Sequence, residues 1–232
     1  LKLAMYFGAQ GIGLCRTEHM LLATAERVSV ARSMILAKDD ASRVEILDTK
    51  MGPMLKDDFQ ALFEQAGNLP VTIRLLDPPL HEFLPTDLEL KDENFAADLA
   101  KKCSLESADA LRETCEAKRE KNPMMGLRGV RVGILEPKIT VMQTQAIVNA
   151  MIDAYIATGV HPNGKIMVPL VSTIDEFENQ RALIFQTIQQ TFNARASEVS
   201  REDVLGPNNR EIPIGMMCET PRACIISGNL VE

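Results

Sequence analysis

Short apolar runs alternate with longer amphipathic stretches along this chain, and no other feature constrains its fold as tightly. Runs at 12–14, 71–76, 166–171 and 212–218 have the length and apolar density of buried strands, and 127–135 reads as a strand or a strand-like loop. Helical patterns at 25–36, 41–66, 140–158, 173–192 and 221–230 fill the intervals, and residues 1–7 read as the tail of one more helix, closed by Gly8. Such alternation predicts an α/β fold with a mostly parallel sheet. Counted this way there are about five βα units, where a closed barrel of the (β/α)8 TIM type needs eight.

Local signals refine the pattern. Gly52-Pro53 should break or bend the helical stretch at 41–66, because proline removes a helix donor. Pro169 marks a bulge or the end of its strand. After Pro78-Pro79 the chain makes a polar excursion over 86–121, in which Ser104 is placed to cap a helix at 105–121. The segment 193–211 contains Gly206-Pro207-Asn208-Asn209 and is expected to be a loop. Both ends fall inside helical patterns. The expectation is one domain over 1–232, an incomplete barrel.

Composition narrows the function classes. The 232 residues carry a net charge of -7, which argues against nucleic acid as the main partner, since polyanion binding needs a concentrated basic face. No apolar run approaches the ~20 residues of a membrane span. No secretory signal is visible, although the chain opens on Leu1 and not on methionine. Cys15, Cys103, Cys115, Cys218 and Cys224 are odd in number and contain no C-x-x-C pair, so reduced thiols and an intracellular setting are expected, with no disulfide framework or zinc site.

The strand-like runs matter most for how they end. Arg16, Arg74 and Arg128 each follow an apolar run, and Glu219 closes the last one. A guanidinium is a planar fork of donors suited to phosphate or carboxylate oxygens. Side chains at the C-terminal ends of parallel strands gather at the mouth of an α/β barrel, where active sites occur. The competing reading is that the arginines pair with Glu18, Asp77 or Glu219 and only hold the rim together. Glu219 could bind magnesium, which prefers oxygen ligands, or could be an arginine's salt-bridge partner. His161 lies in a turn, and His19 and His81 beside strand ends, where a structural role is the default. The glycines in Gly8-Ala9-Gln10-Gly11-Ile12-Gly13 precede a strand, so they lack the context of a dinucleotide fingerprint.

Taken together, Cys15-Arg16-Thr17-Glu18-His19-Met20, Leu76-Asp77-Pro78-Pro79-Leu80-His81-Glu82-Phe83, Asn122-Pro123-Met124-Met125-Gly126-Leu127-Arg128-Gly129 and Met217-Cys218-Glu219-Thr220-Pro221-Arg222 are distinctive. The chain resembles the phosphoenolpyruvate-binding domain of the pyruvate, phosphate dikinases, a barrel shared with phosphoenolpyruvate synthase and with enzyme I of the sugar phosphotransferase system. The resemblance implies an eight-stranded α/β barrel. It implies an enzyme that interconverts phosphoenolpyruvate, AMP and diphosphate with pyruvate, ATP and phosphate. The phosphoryl group travels on a histidine of a separate swivelling domain and is passed to a nucleotide-binding domain.

By the same resemblance Arg16, Arg74 and Arg128 hold the phosphoryl and carboxylate groups of phosphoenolpyruvate or pyruvate, and Glu219 binds Mg2+. The parent is expected to be a homodimer in the cytoplasm, or in a plastid or protist organelle, with neither nucleic acid nor membrane as partner. Leu127 stands where the dikinases usually carry histidine, and Met217-Cys218 where they carry Met-Ile. The family's second magnesium-binding aspartate, its cysteine proton donor and its phosphocarrier histidine have no counterpart in these residues, so the 232-residue chain alone is expected to be inactive. A phosphoenolpyruvate synthase fragment and a non-catalytic anion-binding remnant are the alternatives.

Overall fold

A computed structural model describes residues 2–119, 122, 126–207 and 211–231. Its centre is a parallel sheet of β1 (Ile12–Arg16), β2 (Pro70–Arg74), β3 (Asn163–Val168) and β4 (Ile214–Met216), paired in that order. Every strand pairs with its sequence neighbour, so each connection crosses back over the sheet through helices.

Helix α1 (Lys2–Tyr6) precedes β1. Between β1 and β2 lie α2 (Thr17–Leu21), α3 (Ala25–Ile35), α4 (Asp40–Ile46), a π turn at Leu47–Met51 and α5 (Gly52–Ala66). Between β2 and β3 a 3-10 turn at Leu80–Phe83 leads to α6 (Asp87–Leu90), α7 (Glu93–Lys102), α8 (Ala108–Lys118), α9 (Val130–Leu135) and α10 (Pro137–Thr158). Then come α11 (Ile174–Ala194) and α12 (Arg201–Leu205) before β4, and α13 (Pro221–Ile225) and α14 (Ser227–Val231) after it.

Alternation along the strands explains the layering. Val71, Ile73, Ile166 and Val168 are buried and belong to one core cluster with Leu55, Phe59 and Phe63 of α5 and Ile147 and Met151 of α10. Helix α10 packs between α5 and α11 and buries mostly apolar residues, Met142, Ile147, Met151 and Ile152 among them. Gly164 lets β3 approach this layer. A Cβ there would lie 2.7 Å from Met151 Sδ and 3.0 Å from Phe63 Cζ. The register aligns Thr72 with Lys165, and Arg74 with Met167, on the opposite face. Thr72, Lys165 and Met167 are half-buried, so that face is the more open one.

Four expectations are corrected. Residues 127–135 are not a fifth strand but contain α9, so the described sheet has four strands. A short apolar run fits a buried strand or a buried helical turn equally well, and Gly129, at φ 55, turns the chain out of extended geometry just before it. Ser104 is not the cap. It has φ 57, whereas Ser107 has extended backbone and accepts the Ala110 N–H at 3.1 Å. The helix it starts is α8, and residues 120 and 121 of the expected helix lie outside the described residues. The segment 193–211 is not all loop, because Ser200 caps α12, while residues 208–210 lie outside the described residues. Of the break or bend expected at Gly52-Pro53, the break is absent. Proline has no N–H for the usual bond, and the Gly52 N–H reaches one residue further back to the Leu47 carbonyl, so the helix continues through a π turn.

Candidate functional site

The register places Arg16 beside Arg74, and Arg74 beside Met167, which in turn pairs with Gly215. This row crosses the C-terminal end of the sheet, where parallel α/β folds expose the loops that carry chemistry. The first two candidate residues are therefore strand neighbours.

Arg74 is 4% exposed, which demands compensation for its charge. Glu18, at the start of α2, and Asp77, just past β2, supply it. Arg74 Nη2 donates to Glu18 Oε1, and Nη1 lies 2.9 Å from Asp77 Oδ2. The same Asp77 oxygen accepts from Arg128 Nη2 at 2.9 Å. One carboxylate thus bridges two candidate arginines. Glu18 Oε2, Asp77 Oδ1 and Arg74 Nε are buried without a hydrogen-bond partner among the described residues. Arg16 is different. It is exposed and makes no ion pair among the described residues.

Glu219 enters through the backbone. Its Oε1 accepts the Leu170 N–H at 2.8 Å. Leu170 has φ 61, a conformation rare for a branched side chain, and the carboxylate fixes the amide that this conformation presents. Leu170 and Pro169 in turn press on Gly129, where a Cβ would meet Leu170 Cβ at 2.8 Å. The Gly129 N–H donates to the Asp77 carbonyl and the Val130 N–H to the Pro169 carbonyl, both at 3.0 Å. A continuous chain of contacts therefore runs from Arg74 through Asp77, Arg128 and Gly129 to Leu170 and Glu219. Thr220 extends it by donating to the Val171 carbonyl at 3.0 Å.

The ion pairs that the rim-holding reading expects are present, Arg74 with Glu18 and Asp77 and Arg128 with Asp77. Among the described residues Glu219 has a backbone partner and no arginine. Gln143 was missed by sequence reasoning. It is buried on α10 and its Oε1 accepts the Leu76 N–H at 2.8 Å, which steers the segment leaving β2 toward Asp77. A long amide side chain among the mostly apolar buried residues of this helix was the available signal. Residues 123–125 of the segment leading to Arg128 lie outside the described residues.

His19 is exposed, His81 is half-buried, and His161 stacks on Tyr155 with ring centroids 5.4 Å apart while its Nδ1 lies 2.9 Å from the Asp203 carbonyl oxygen. Beside Arg16, burial pushes the Cys15 thiol up to about 11, with Glu18 and Asp58 adding to the effect, so it is a packing residue at neutral pH.

Glu219 is a single hard oxygen donor, and the described residues contain no cluster of three or more His, Cys, Asp or Glu side chains able to hold a metal. One exposed carboxylate fits magnesium as a partial ligand set, because that ion commonly takes one or two protein carboxylates and completes its shell with water and substrate oxygens.

Arginines and carboxylates gathered at the C-terminal ends of parallel strands define a class, the α/β domains with a charged edge where such folds carry their sites. Comparison with known proteins sharpens this. Residues 1–232 match the family described as PEP-utilising enzyme, PEP-binding domain, and the chain belongs to that family. It is 43% identical over 232 residues, all of the chain, to pyruvate, phosphate dikinase of Rhizobium meliloti (strain 1021). It is 41% identical over 225 residues, 97% of the chain, to pyruvate, phosphate dikinase 2 of Zea mays. It is 38% identical over 231 residues, 99% of the chain, to the pyruvate, phosphate dikinase of Giardia intestinalis. The chain spans about a quarter of the length of these relatives, 24% in each case. Among the described residues no helix is long and apolar enough to cross a membrane.

Proposed function

We propose that this chain is part of the phosphoenolpyruvate/pyruvate-binding barrel of a pyruvate, phosphate dikinase, and that Arg16, Arg74, Arg128 and Glu219 carry its site. The observation that supports this most is Asp77 joining Arg74 and Arg128 at one end of a parallel sheet, level with Arg16, which makes no ion pair among the described residues. The sheet's sequential strand order and its helices on one face fit a partial barrel wall, with the more open face turned toward the barrel axis.

The proposed mechanism follows from charge. Glu18 and Asp77 keep Arg74 in place without a ligand, so its fork is positioned before an anion arrives. Arg16 has no protein anion to release among the described residues and would meet the phosphoryl or carboxylate oxygens directly. Arg128, which shares one Asp77 oxygen with Arg74, would complete the clamp. In phosphoryl transfer such groups act by positioning and by offsetting charge on the moving group. Magnesium, held by Glu219, would supply further positive charge against the enolate oxygen of pyruvate. The carrier histidine and the nucleotide site belong to other domains of the same parent. We place that parent, as a homodimer, in the cytoplasm or an organelle.

The test is pyruvate formation from phosphoenolpyruvate by a full-length protein that carries this chain. Turnover should require AMP and diphosphate together, Arg128→Ala should lower it at least 100-fold, and the 232-residue chain alone should make no ATP. Turnover without AMP, or an unaffected Arg128→Ala protein, would reject the assignment. Binding of phosphoenolpyruvate without any turnover would mark an anion-binding remnant.

A further inference from the structure

Two of the cysteines face each other at the surface. Cys218 lies in the turn after β4 and Cys224 in α13, both are exposed, and their Sγ atoms are 3.6 Å apart. The other three are placed differently, with Cys103 and Cys115 buried and Cys15 half-buried beneath Arg16. We propose that Cys218 and Cys224 form a dithiol site that a low-molecular-weight disulfide oxidises to an intrachain disulfide, fastening the turn that carries Glu219 to α13.

The backbone between the sulfurs is already fixed. Thr220 Oγ1 accepts the Ala223 N–H at 3.1 Å and donates to the Val171 carbonyl at 3.0 Å. The Cys224 N–H donates to the Thr220 carbonyl at 3.1 Å. A disulfide bond is about 2.05 Å long, so the sulfurs need to close by about 1.5 Å from 3.6 Å, a movement that side-chain torsions can supply. Holding the second thiol this near the first raises its effective concentration far above that of any thiol in solution. Exposure gives the oxidant access that the buried cysteines lack.

The chemistry is two successive exchanges with a disulfide RSSR. The sulfur of one cysteine, as thiolate, attacks RSSR, forms a mixed disulfide and releases RS−. The second cysteine, as thiolate, attacks the protein sulfur of that mixed disulfide, forms the Sγ–Sγ bond and breaks the bond to the remaining R–S. The two cysteines lose two protons and two electrons, and RSSR leaves as two RSH. The site does not depend on the reading of Glu219 as a magnesium ligand.

The test uses full-length protein carrying this chain, equilibrated in glutathione mixtures from mostly reduced to mostly oxidised, then acid-quenched, alkylated and cut with trypsin. Arg222 lies between the two cysteines, so the protease separates them, and their disulfide is read as two peptides held together until a reductant parts them. The expected result is that this linked pair dominates in oxidising mixtures, while Cys218→Ser protein yields Cys224 carrying a single glutathione instead. Recovery of both cysteines alkylated, each capped by glutathione, or joined to other cysteines in the most oxidising mixture would overturn the proposal.

Discussion

Arg74 and Arg16 are strand neighbours with opposite surroundings, and they should respond to mutation in opposite ways. Arg74 is buried between Glu18 and Asp77. Arg74→Ala would take from buried Glu18 its arginine and leave Asp77 to Arg128 alone, and is expected to cost about 3–5 kcal/mol of stability in urea unfolding. Arg16→Ala removes an exposed side chain with no ion pair among the described residues and should stay within about 0.5 kcal/mol of wild type. Equal losses for the two would mean that the buried network does not hold Arg74 as described. At this scale the sequence was legible in part. Arginine after an apolar run located the cations, and nearby acids were visible as possible partners. Which acid pairs with which arginine depends on how the loops fold back, so Asp77 serving both Arg74 and Arg128 was not readable, nor was Gln143, whose partner is 67 positions away.

Among the elements, the turn into α9 carries the clearest test. Gly129 has φ 55 and no room for a Cβ, with Leu170 Cβ at 2.8 Å and the Pro169 carbonyl oxygen at 3.1 Å. Gly129→Ala is expected to lower stability by about 1–3 kcal/mol, through both backbone strain and displacement of the Leu170 turn. Unchanged denaturant midpoint and slope would show that the turn yields freely. Long elements such as α10 and α11 were legible because their apolar period repeats over five or more turns. Short ones were not. The six residues of α9 and the five of α12 are too few for a period to declare itself, and their geometry is imposed by Gly129 and by the Ser200 cap. The π turn likewise follows from a donor that proline lacks, a fact that predicts disturbance without predicting its form.

Across the whole molecule, the outer helices are joined by a charged bridge far from the sheet's rim. Asp153 of α10 accepts from Lys56 of α5 at 2.8 Å and from Arg195, just past α11, at 2.5 Å. Burial alone would raise the Asp153 carboxyl, but the hydrogen bonds from Lys56 and Arg195 outweigh it and hold the group below its ordinary value of 3.8. A carboxyl lowered by folding contributes stability above its ordinary value and loses that contribution as pH falls through the lowered one. Asp153→Asn should therefore be less stable than wild type at neutral pH, with the gap narrowing below about pH 4. A gap that is constant from pH 7 to pH 3 would contradict the bridge. The parallel α/β class was legible in the strand–helix alternation, whereas the strand count was not, because one apolar run served a helix.

The central claim is that the strand-end arginines and Glu219 form one site for an enolpyruvate-type anion with magnesium, and calorimetric titration of oxalate, an enolpyruvate mimic, tests it most directly. Full-length protein carrying this chain should bind oxalate much more tightly with magnesium than without it. Glu219→Gln should abolish the magnesium-dependent gain, and Arg16→Ala, which keeps the fold, should weaken binding about tenfold or more, equivalent to roughly 1.4 kcal/mol. Oxalate affinity that is independent of magnesium and unchanged in both variants would contradict the account.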